Sequence, residues 1–125
     1  MRTLVTALAL VLIGGGAALA ADPAKISDTS SGKIWTDTDG MALYTYDKDS
    51  SGKTTCYDKC ATNWPPLKAS ADAKAMGEWT VVDRTDGTKM WAYKGQPLYT
   101  YVGDTSAGDV TGDGKGGVWH VAKGD

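Results

Sequence analysis

The chain of 125 residues contains no phenylalanine, one histidine, one glutamate and two cysteines. Its large aromatic rings belong to five tryptophans and six tyrosines, and each of these rings carries a polar N–H or O–H group. Such rings suit half-buried sheet faces whose edges reach water, and they also suit a binding surface. Neither sign of charge is in large excess, with 13 basic against 15 acidic residues. That balance gives no support for binding to nucleic acid or to an anionic membrane.

The near absence of glutamate indicates the fold class. Of the 15 acidic residues, 14 are aspartate and only Glu78 is glutamate, and the chain also has 16 glycines. Aspartate favours turns and is poor inside helices, whereas glutamate is a good helix former. This composition predicts many turns and an all-β fold.

The apolar run within the first 20 residues is too short for a membrane span. Arg2 precedes an apolar run that contains three consecutive glycines and ends in Ala-Leu-Ala at residues 18–20. This pattern indicates a secretory signal peptide over residues 1–20, and a span needs roughly 20 apolar residues. No cysteine follows the run, as a bacterial lipid anchor would require. We therefore expect a periplasmic or secreted chain without a transmembrane anchor after signal cleavage.

The chain contains an internal repeat. "GMALYTYDKD", residues 40–49, returns as "GQPLYTYVGD", residues 95–104, with six of the ten positions identical. Side chains alternate between the two faces of a strand, so the two tyrosines of each "LYTY" share one face. Two equivalent strands would most simply be related by a pseudo-twofold axis. The repeat indicates duplication of a β unit that is too small to bury its face alone.

Turn signals divide the chain into strands. Asp39-Gly40 and Asp86-Gly87 each separate two β-prone runs, which is a strong hairpin signal. We predict two pseudo-symmetric β-meander or hairpin repeats, about 33–68 and 78–122. Together they would form one small sandwich- or barrel-like domain over residues 33–125. The polar residues 21–32 are predicted to be a flexible leader.

A helical insertion is predicted between the repeats. Thr55 to Asp58 fits a capping box at the start of a short helix, which Trp64 and the two following prolines would end. Residues 70–76 predict a second short helix, capped by Ser70.

Cys56 and Cys60 are the first candidates for chemistry. In an exported chain two cysteines indicate a disulfide, here with a very small loop. Two alternatives remain open: a redox-active thiol pair, and a copper site in which His120 joins the two sulfurs. Covalent haem attachment is disfavoured because Ala61, not histidine, follows Cys60.

Two further groups could bind a ligand. Asp104, Asp109 and Asp113 lie in the glycine-rich loop 104–117, where they would either bind calcium or form a solvated loop; their spacing matches no EF-hand. The paired tyrosines would either form a ligand-binding platform or pack inside the repeat. These candidate ligand-binding residues are Tyr44, Tyr46, Tyr99 and Tyr101.

Several motifs together resemble one family. These motifs are Gly-x-x-Leu-Tyr-Thr-Tyr-x-x-Asp in both repeats, "CYDKCATNWPPL" at 56–67, the restart at Gly95, and "GVWHV" at 117–121. They are similar to the bacterial secreted repeat of unknown function, whose members are often described as putative lipoproteins with a Tyr-x4-Asp motif. The similarity covers about residues 33–121. It implies an exported, tandemly repeated small domain and supplies no activity.

No spacing specific to a catalytic triad, a Cys-His pair or paired carboxylates is present. We therefore expect a monomeric, non-enzymatic binding or structural module of the cell envelope, without a cofactor or a resident metal. Its partner would be an unidentified envelope ligand or protein. The alternative is a periplasmic thiol-redox or copper-handling protein that uses Cys56 and Cys60.

Overall fold

The computed structural model describes residues 22–124, so the expected signal peptide lies outside the described residues. Within them the chain forms eight strands, one short α-helix and one 3-10 turn. The strands are β1 (Lys25–Thr29), β2 (Gly32–Thr36), β3 (Tyr44–Tyr46), β4 (Lys68–Ala69), β5 (Trp79–Asp83), β6 (Lys89–Tyr93), β7 (Gln96–Pro97) and β8 (Trp119–Val121). The helix α1 is Lys59–Asn63, and the 3-10 turn is Lys115–Gly117. No helix in residues 22–124 has the length and apolar character needed to cross a membrane.

The sheets are small and antiparallel, which confirms the all-β prediction. β1 pairs with β2, and β3 pairs with β8. In the third sheet β6 pairs with β4, β5 and β7, so the meander predicted for the second repeat is present. The two predicted Asp-Gly turns also form, with Gly40 and Gly87 both at a φ of 90°. Glycine reaches that φ without the steric cost that a Cβ would add.

The predicted flexible leader is wrong for residues 25–29, which form β1. All five residues pair with β2, and the Ser27 hydroxyl lies 2.9 Å from the Thr36 hydroxyl. Sheet pairing uses the backbone groups that every non-proline residue carries, so a polar sequence does not prevent it. The β1–β2 hairpin of the first repeat thus corresponds to the β5–β6 hairpin of the second.

The helical insertion forms only in part. Helix α1 is present and ends at Asn63, before the prolines, but Asp58 at its start makes no side-chain capping bond. The predicted capping box is wrong because Thr55 is engaged elsewhere: its amide and hydroxyl both donate to the Asp49 carboxylate. The second predicted helix, over residues 70–76, is also absent. A single isolated turn of helix gains too few hydrogen bonds to offset its nucleation cost.

The last strand of each repeat pairs with a strand of the other repeat. β8 follows the second "LYTY" and pairs with β3 of the first repeat, while β4 follows the first and pairs with β6 of the second. At the centre Tyr44 and Tyr99 face each other and exchange two backbone hydrogen bonds, with N–O distances of 2.7 and 3.0 Å. The two repeats are therefore interlocked around a pseudo-twofold axis.

Buried side chains form two clusters, one on each face of the "LYTY" segments, in agreement with the predicted alternation. Tyr44 and Tyr99 lie in the first cluster, and Leu43 and Leu98 lie in the second. The other buried members of the first cluster are Ile34, Ala42, Cys56, Trp64, Val82, Met90, Ala92, Trp119 and Val121. Those of the second cluster are Ala24, Trp79 and Trp91. Both clusters contain residues of both repeats, so the repeats share their hydrophobic interior.

Candidate functional site

The Tyr-x4-Asp motif forms hydrogen bonds between the repeats. The Tyr44 phenol donates to Asp104 Oδ2 at 2.7 Å, and the Tyr99 phenol donates to Asp49 Oδ2. Each tyrosine thus bonds to the aspartate of the other repeat, not to the aspartate five positions further along its own. We call these four residues the Tyr–Asp centre.

The second oxygen of each carboxylate anchors a loop. Asp49 Oδ1 accepts the amide and the hydroxyl of Thr55 at 2.8 and 2.9 Å. Asp104 Oδ1 accepts the amide and the hydroxyl of Thr111 at 2.8 and 2.6 Å. Each aspartate therefore links the tyrosine of the other repeat to the loop that follows the aspartate in its own repeat. Side-chain bonds of this type to ionised carboxylates are stronger than neutral ones.

Both phenols of the Tyr–Asp centre are buried and neutral. Tyr44 and Tyr99 each have 0% of their surface exposed. Burial, and then the hydrogen bond to Asp104, raises the pKa of Tyr44 well above its usual value; burial and the bond to Asp49 do the same for Tyr99. A phenol that holds its proton this strongly is a hydrogen-bond donor, not a nucleophile or a general base.

The other two tyrosines end a stack of four rings. Trp64 and Trp119 stack face to face across the pseudo-twofold axis, with centroids 3.9 Å apart. Tyr46 stacks on Trp119 and Tyr101 stacks on Trp64, each at 4.2 Å. Both tyrosines are half-buried. The predicted ligand platform is therefore wrong for Tyr44 and Tyr99, which no surface ligand reaches in this conformation, whereas Tyr46 and Tyr101 keep one accessible portion each.

Close approach of the backbone completes the packing around this stack. The Gly112 amide donates to the Tyr44 phenol oxygen at 3.1 Å. A Cβ at Gly112 would lie 2.7 Å from the Trp64 ring and 3.0 Å from the Tyr101 ring. A larger residue at position 112 would therefore displace the ring stack.

Cys56 and Cys60 form a disulfide, with Cα atoms 5.2 Å apart, as predicted. Cys56 is fully buried, and its carbonyl accepts a bond from the buried Arg84 guanidinium at 2.8 Å. Arg84 also lies over the Tyr57 ring, 4.4 Å from the centroid. These contacts fix the disulfide loop against the second repeat, and nothing in this geometry supports a redox role for the pair.

The remaining metal candidates have ordinary structural contacts. His120 is exposed and lies 2.9 Å from the Asp47 carboxylate. The Asp109 carboxylate accepts the amides of Ser106 and Thr105, and these bonds lower its pKa. Asp113 accepts the amide of Val121 at 2.9 Å. Across residues 22–124, no group of three or more His, Cys, Asp or Glu residues is placed to hold a metal ion.

A groove opens on the side of the domain where the β6–β7 turn faces β8. It has a volume of about 210 Å³. We call it the Trp35 groove; its lining includes Trp35, Tyr93, Lys94, Gln96, Ala122 and Lys123. No local sequence pattern marks this groove, because its walls come from four separate segments of the chain: residues 35, 45, 93–98 and 121–124.

Comparison with known proteins agrees with the duplication. The family model of a secreted repeat of unknown function matches the chain twice, at residues 25–68 and 80–123. No curated protein and no solved structure was found to match the chain. The first matched segment includes β1, in agreement with the pairing of that strand in the fold.

Proposed function

Because the chain belongs to the family of the secreted repeat of unknown function, we propose that it is a non-enzymatic binding or structural module of the cell envelope. In this proposal the Tyr–Asp centre is the scaffold that holds the two repeats together. Ligand contact takes place on the surface that the scaffold supports, chiefly in the Trp35 groove.

The cross-repeat bonds of Tyr44 and Tyr99 carry the proposal. The motif common to both repeats places its two phenols in the interior, where each donates to an aspartate of the other repeat, and the second oxygen of each aspartate accepts a threonine nearer the surface. Buried and fully hydrogen-bonded polar groups specify one arrangement of a core. The two phenols, which have no exposed surface, are unavailable to a substrate. The motif thus fits a structural role.

Co-sedimentation tests the envelope role. The purified exported protein, with its disulfide intact, is mixed with the envelope fraction of the bacterium that produces it and centrifuged. We expect the protein to sediment with the fraction in a saturable manner. Ala122→Leu, which narrows the Trp35 groove, should reduce sedimentation, whereas Lys68→Gln, which lies outside the groove, should not. Wild-type protein that stays in the supernatant at all envelope concentrations would contradict the proposal.

A further inference from the structure

The two repeats carry different residues at some of the positions that line the Trp35 groove. With the repeat offset of 55 positions, Ala122 corresponds to Leu67. The fold supports this equivalence, because the Ala122 amide donates to the Leu43 carbonyl at 2.8 Å and the Leu67 amide donates to the Leu98 carbonyl at 2.9 Å. Leucine has three more side-chain carbon atoms than alanine. The smaller residue therefore leaves the groove open on its side of the axis.

Charge differs between the repeats at the same place. Lys94 occupies the position that corresponds to Asp39 in the first repeat. Lys94 and Gly95 form the two-residue turn between β6 and β7, with φ angles of 51° and 84°. Turns with two positive φ angles favour Asn, Asp and Gly, so lysine is an unusual occupant. The second repeat thus places a cation at the rim of the groove, whereas the first repeat has an anion at the equivalent position.

Lys94 and Lys123 are the charged residues that line the Trp35 groove. Among the described residues neither ammonium forms an ion pair with a carboxylate within 4.0 Å. Lys123 Nζ donates to the Ser31 carbonyl at 2.8 Å, and Lys94 Nζ lies 5.5 Å from the centre of the Tyr93 ring. Both cations therefore keep donor capacity for an incoming anion, on a chain whose formal net charge is −2.

Aromatic rings form the apolar wall of the groove. Trp35 and Tyr93 are half-buried, with centroids 4.8 Å apart and planes inclined at 52°. Gln96 adds an amide that can donate and accept. Pockets for drug-sized ligands begin at about 300 Å³, and the Trp35 groove, at about 210 Å³, suits a smaller molecule.

We propose that the Trp35 groove binds a small planar carboxylate, an aromatic acid of one or two rings. The ring of the ligand lies against Trp35 and Tyr93, and its carboxylate faces Lys94 and Lys123. This assignment deepens the proposed binding role and rests on it. Aromatic contact supplies most of the affinity, and the two lysines select the anion.

Titration with 2-naphthoate tests this assignment, and the neutral 2-naphthamide serves as the matched ligand. Both are added to the isotopically labelled, disulfide-bonded protein, and amide and indole NMR shifts are followed. We expect saturable shifts at the Trp35 indole and at the Ala122 amide. Naphthoate should bind about five-fold more tightly than naphthamide, since each exposed charge pair contributes less than about 1 kcal/mol.

Substitutions inside and outside the groove locate the site. Ala122→Leu should abolish naphthoate shifts while the rest of the spectrum stays unchanged. Lys94→Gln combined with Lys123→Gln should remove the preference for naphthoate over naphthamide. Lys68→Gln removes the same charge at the position that corresponds to Lys123, outside the groove, and should leave naphthoate binding within about two-fold of wild type.

The outcomes separate the ligand class from the envelope role. Equal affinity for the acid and the amide, or an equal effect of Lys68→Gln and of the combined Lys94→Gln and Lys123→Gln variant, would overturn the carboxylate assignment. If naphthoate causes no shifts while the protein still co-sediments with the envelope fraction, the ligand class is wrong and the envelope role stands. Naphthoate binding at Trp35 without co-sedimentation supports the groove assignment and contradicts the envelope role alone.

Discussion

The first repeat, residues 25–68, and the second, residues 80–123, are most alike at the axis and least alike in their loops. At the axis each has the same tyrosine, aspartate and tryptophan in equivalent contacts. In the loops one has a disulfide and a helix, and the other has glycines and aspartates. The contacts that equivalent residues make in both repeats thus form the scaffold. The features that occur in one repeat only, such as the disulfide, give the repeats separate properties.

The comparison also explains why a single repeat is insufficient. Neither repeat contains a complete Tyr–Asp pair, because Tyr44 needs Asp104 and Tyr99 needs Asp49. The final strands are exchanged as well, so a lone repeat would expose both a strand edge and a buried ring. Duplication in one chain supplies the missing partner of each Tyr–Asp pair and covers the strand edge and the ring. It also keeps the two halves at a high effective concentration.

The largest expected effect concerns the tryptophans on the axis. Trp64→Ala and Trp119→Ala should each lower the free energy of unfolding by about 3–5 kcal/mol, because both side chains are buried in the ring stack. Urea unfolding monitored by circular dichroism measures both. Trp→Phe at each position, which keeps a ring, should cost less. A loss confined to one of the two positions would contradict their equivalence.

The disulfide distinguishes the repeats. Cys56→Ala combined with Cys60→Ala should lower the free energy of unfolding by about 2 kcal/mol, the loop-entropy value for a ring of five residues. Urea unfolding of the oxidised protein, the reduced protein and the double variant provides the measurement. Reduced wild type and the double variant should agree. An unchanged midpoint in both would mean that the disulfide does not stabilise the first insertion.

Alkaline pH tests the buried phenols together. The unfolded chain releases its tyrosine protons near pH 10, whereas the raised pKa values of Tyr44 and Tyr99 keep these protons bound in the folded state. The stabilisation is complete below about pH 10 and is lost as pH rises through the folded pKa values, so the free energy of unfolding should decrease above about pH 10.

Tyr44→Phe combined with Tyr99→Phe should weaken that pH dependence and also lower stability at neutral pH by about 1–3 kcal/mol for each lost bond. Tyr57→Phe is the control for a phenol outside the Tyr–Asp centre. A double variant with the wild-type alkaline slope would show that other groups cause the decrease.

The smallest effect is expected at His120, where the first repeat has Pro65. The His120–Asp47 pair is exposed on both sides, so His120→Ala should change the free energy of unfolding by less than about 0.5 kcal/mol. Urea unfolding at pH 6 and pH 8 would check this value. A loss above about 1.5 kcal/mol at either pH would give His120, which has no equivalent histidine in the first repeat, a structural role that its exposure does not predict.

Local patterns predicted much of the fold. The alternation in "LYTY" placed tyrosines and leucines on opposite faces, and two cysteines four positions apart predicted their own disulfide. Both inferences depend on neighbours in sequence. β1 was missed because its pairing uses backbone atoms and leaves no apolar pattern in a polar stretch.

Partners distant in sequence were not predicted. Tyr44 and Asp49 are close in the motif, which suggests a local pair, yet the bond runs to Asp104, 60 positions away. Only the assembled sheet determines that choice. One signal was available: Trp64 and Trp119 are separated by the same 55 positions as the repeats, so they could have been identified as equivalent residues near the axis.

A double-mutant cycle between Tyr44→Phe and Asp104→Asn tests the interlocked scaffold most directly, with Tyr44→Phe and Asp49→Asn as the matched cycle. We predict a coupling energy of about 1.5–3 kcal/mol in the unfolding of the first pair, as for a bond to a charged acceptor. The second pair should be additive to within about 0.5 kcal/mol. Coupling between Tyr44 and Asp49 without coupling between Tyr44 and Asp104 would contradict the exchange between repeats.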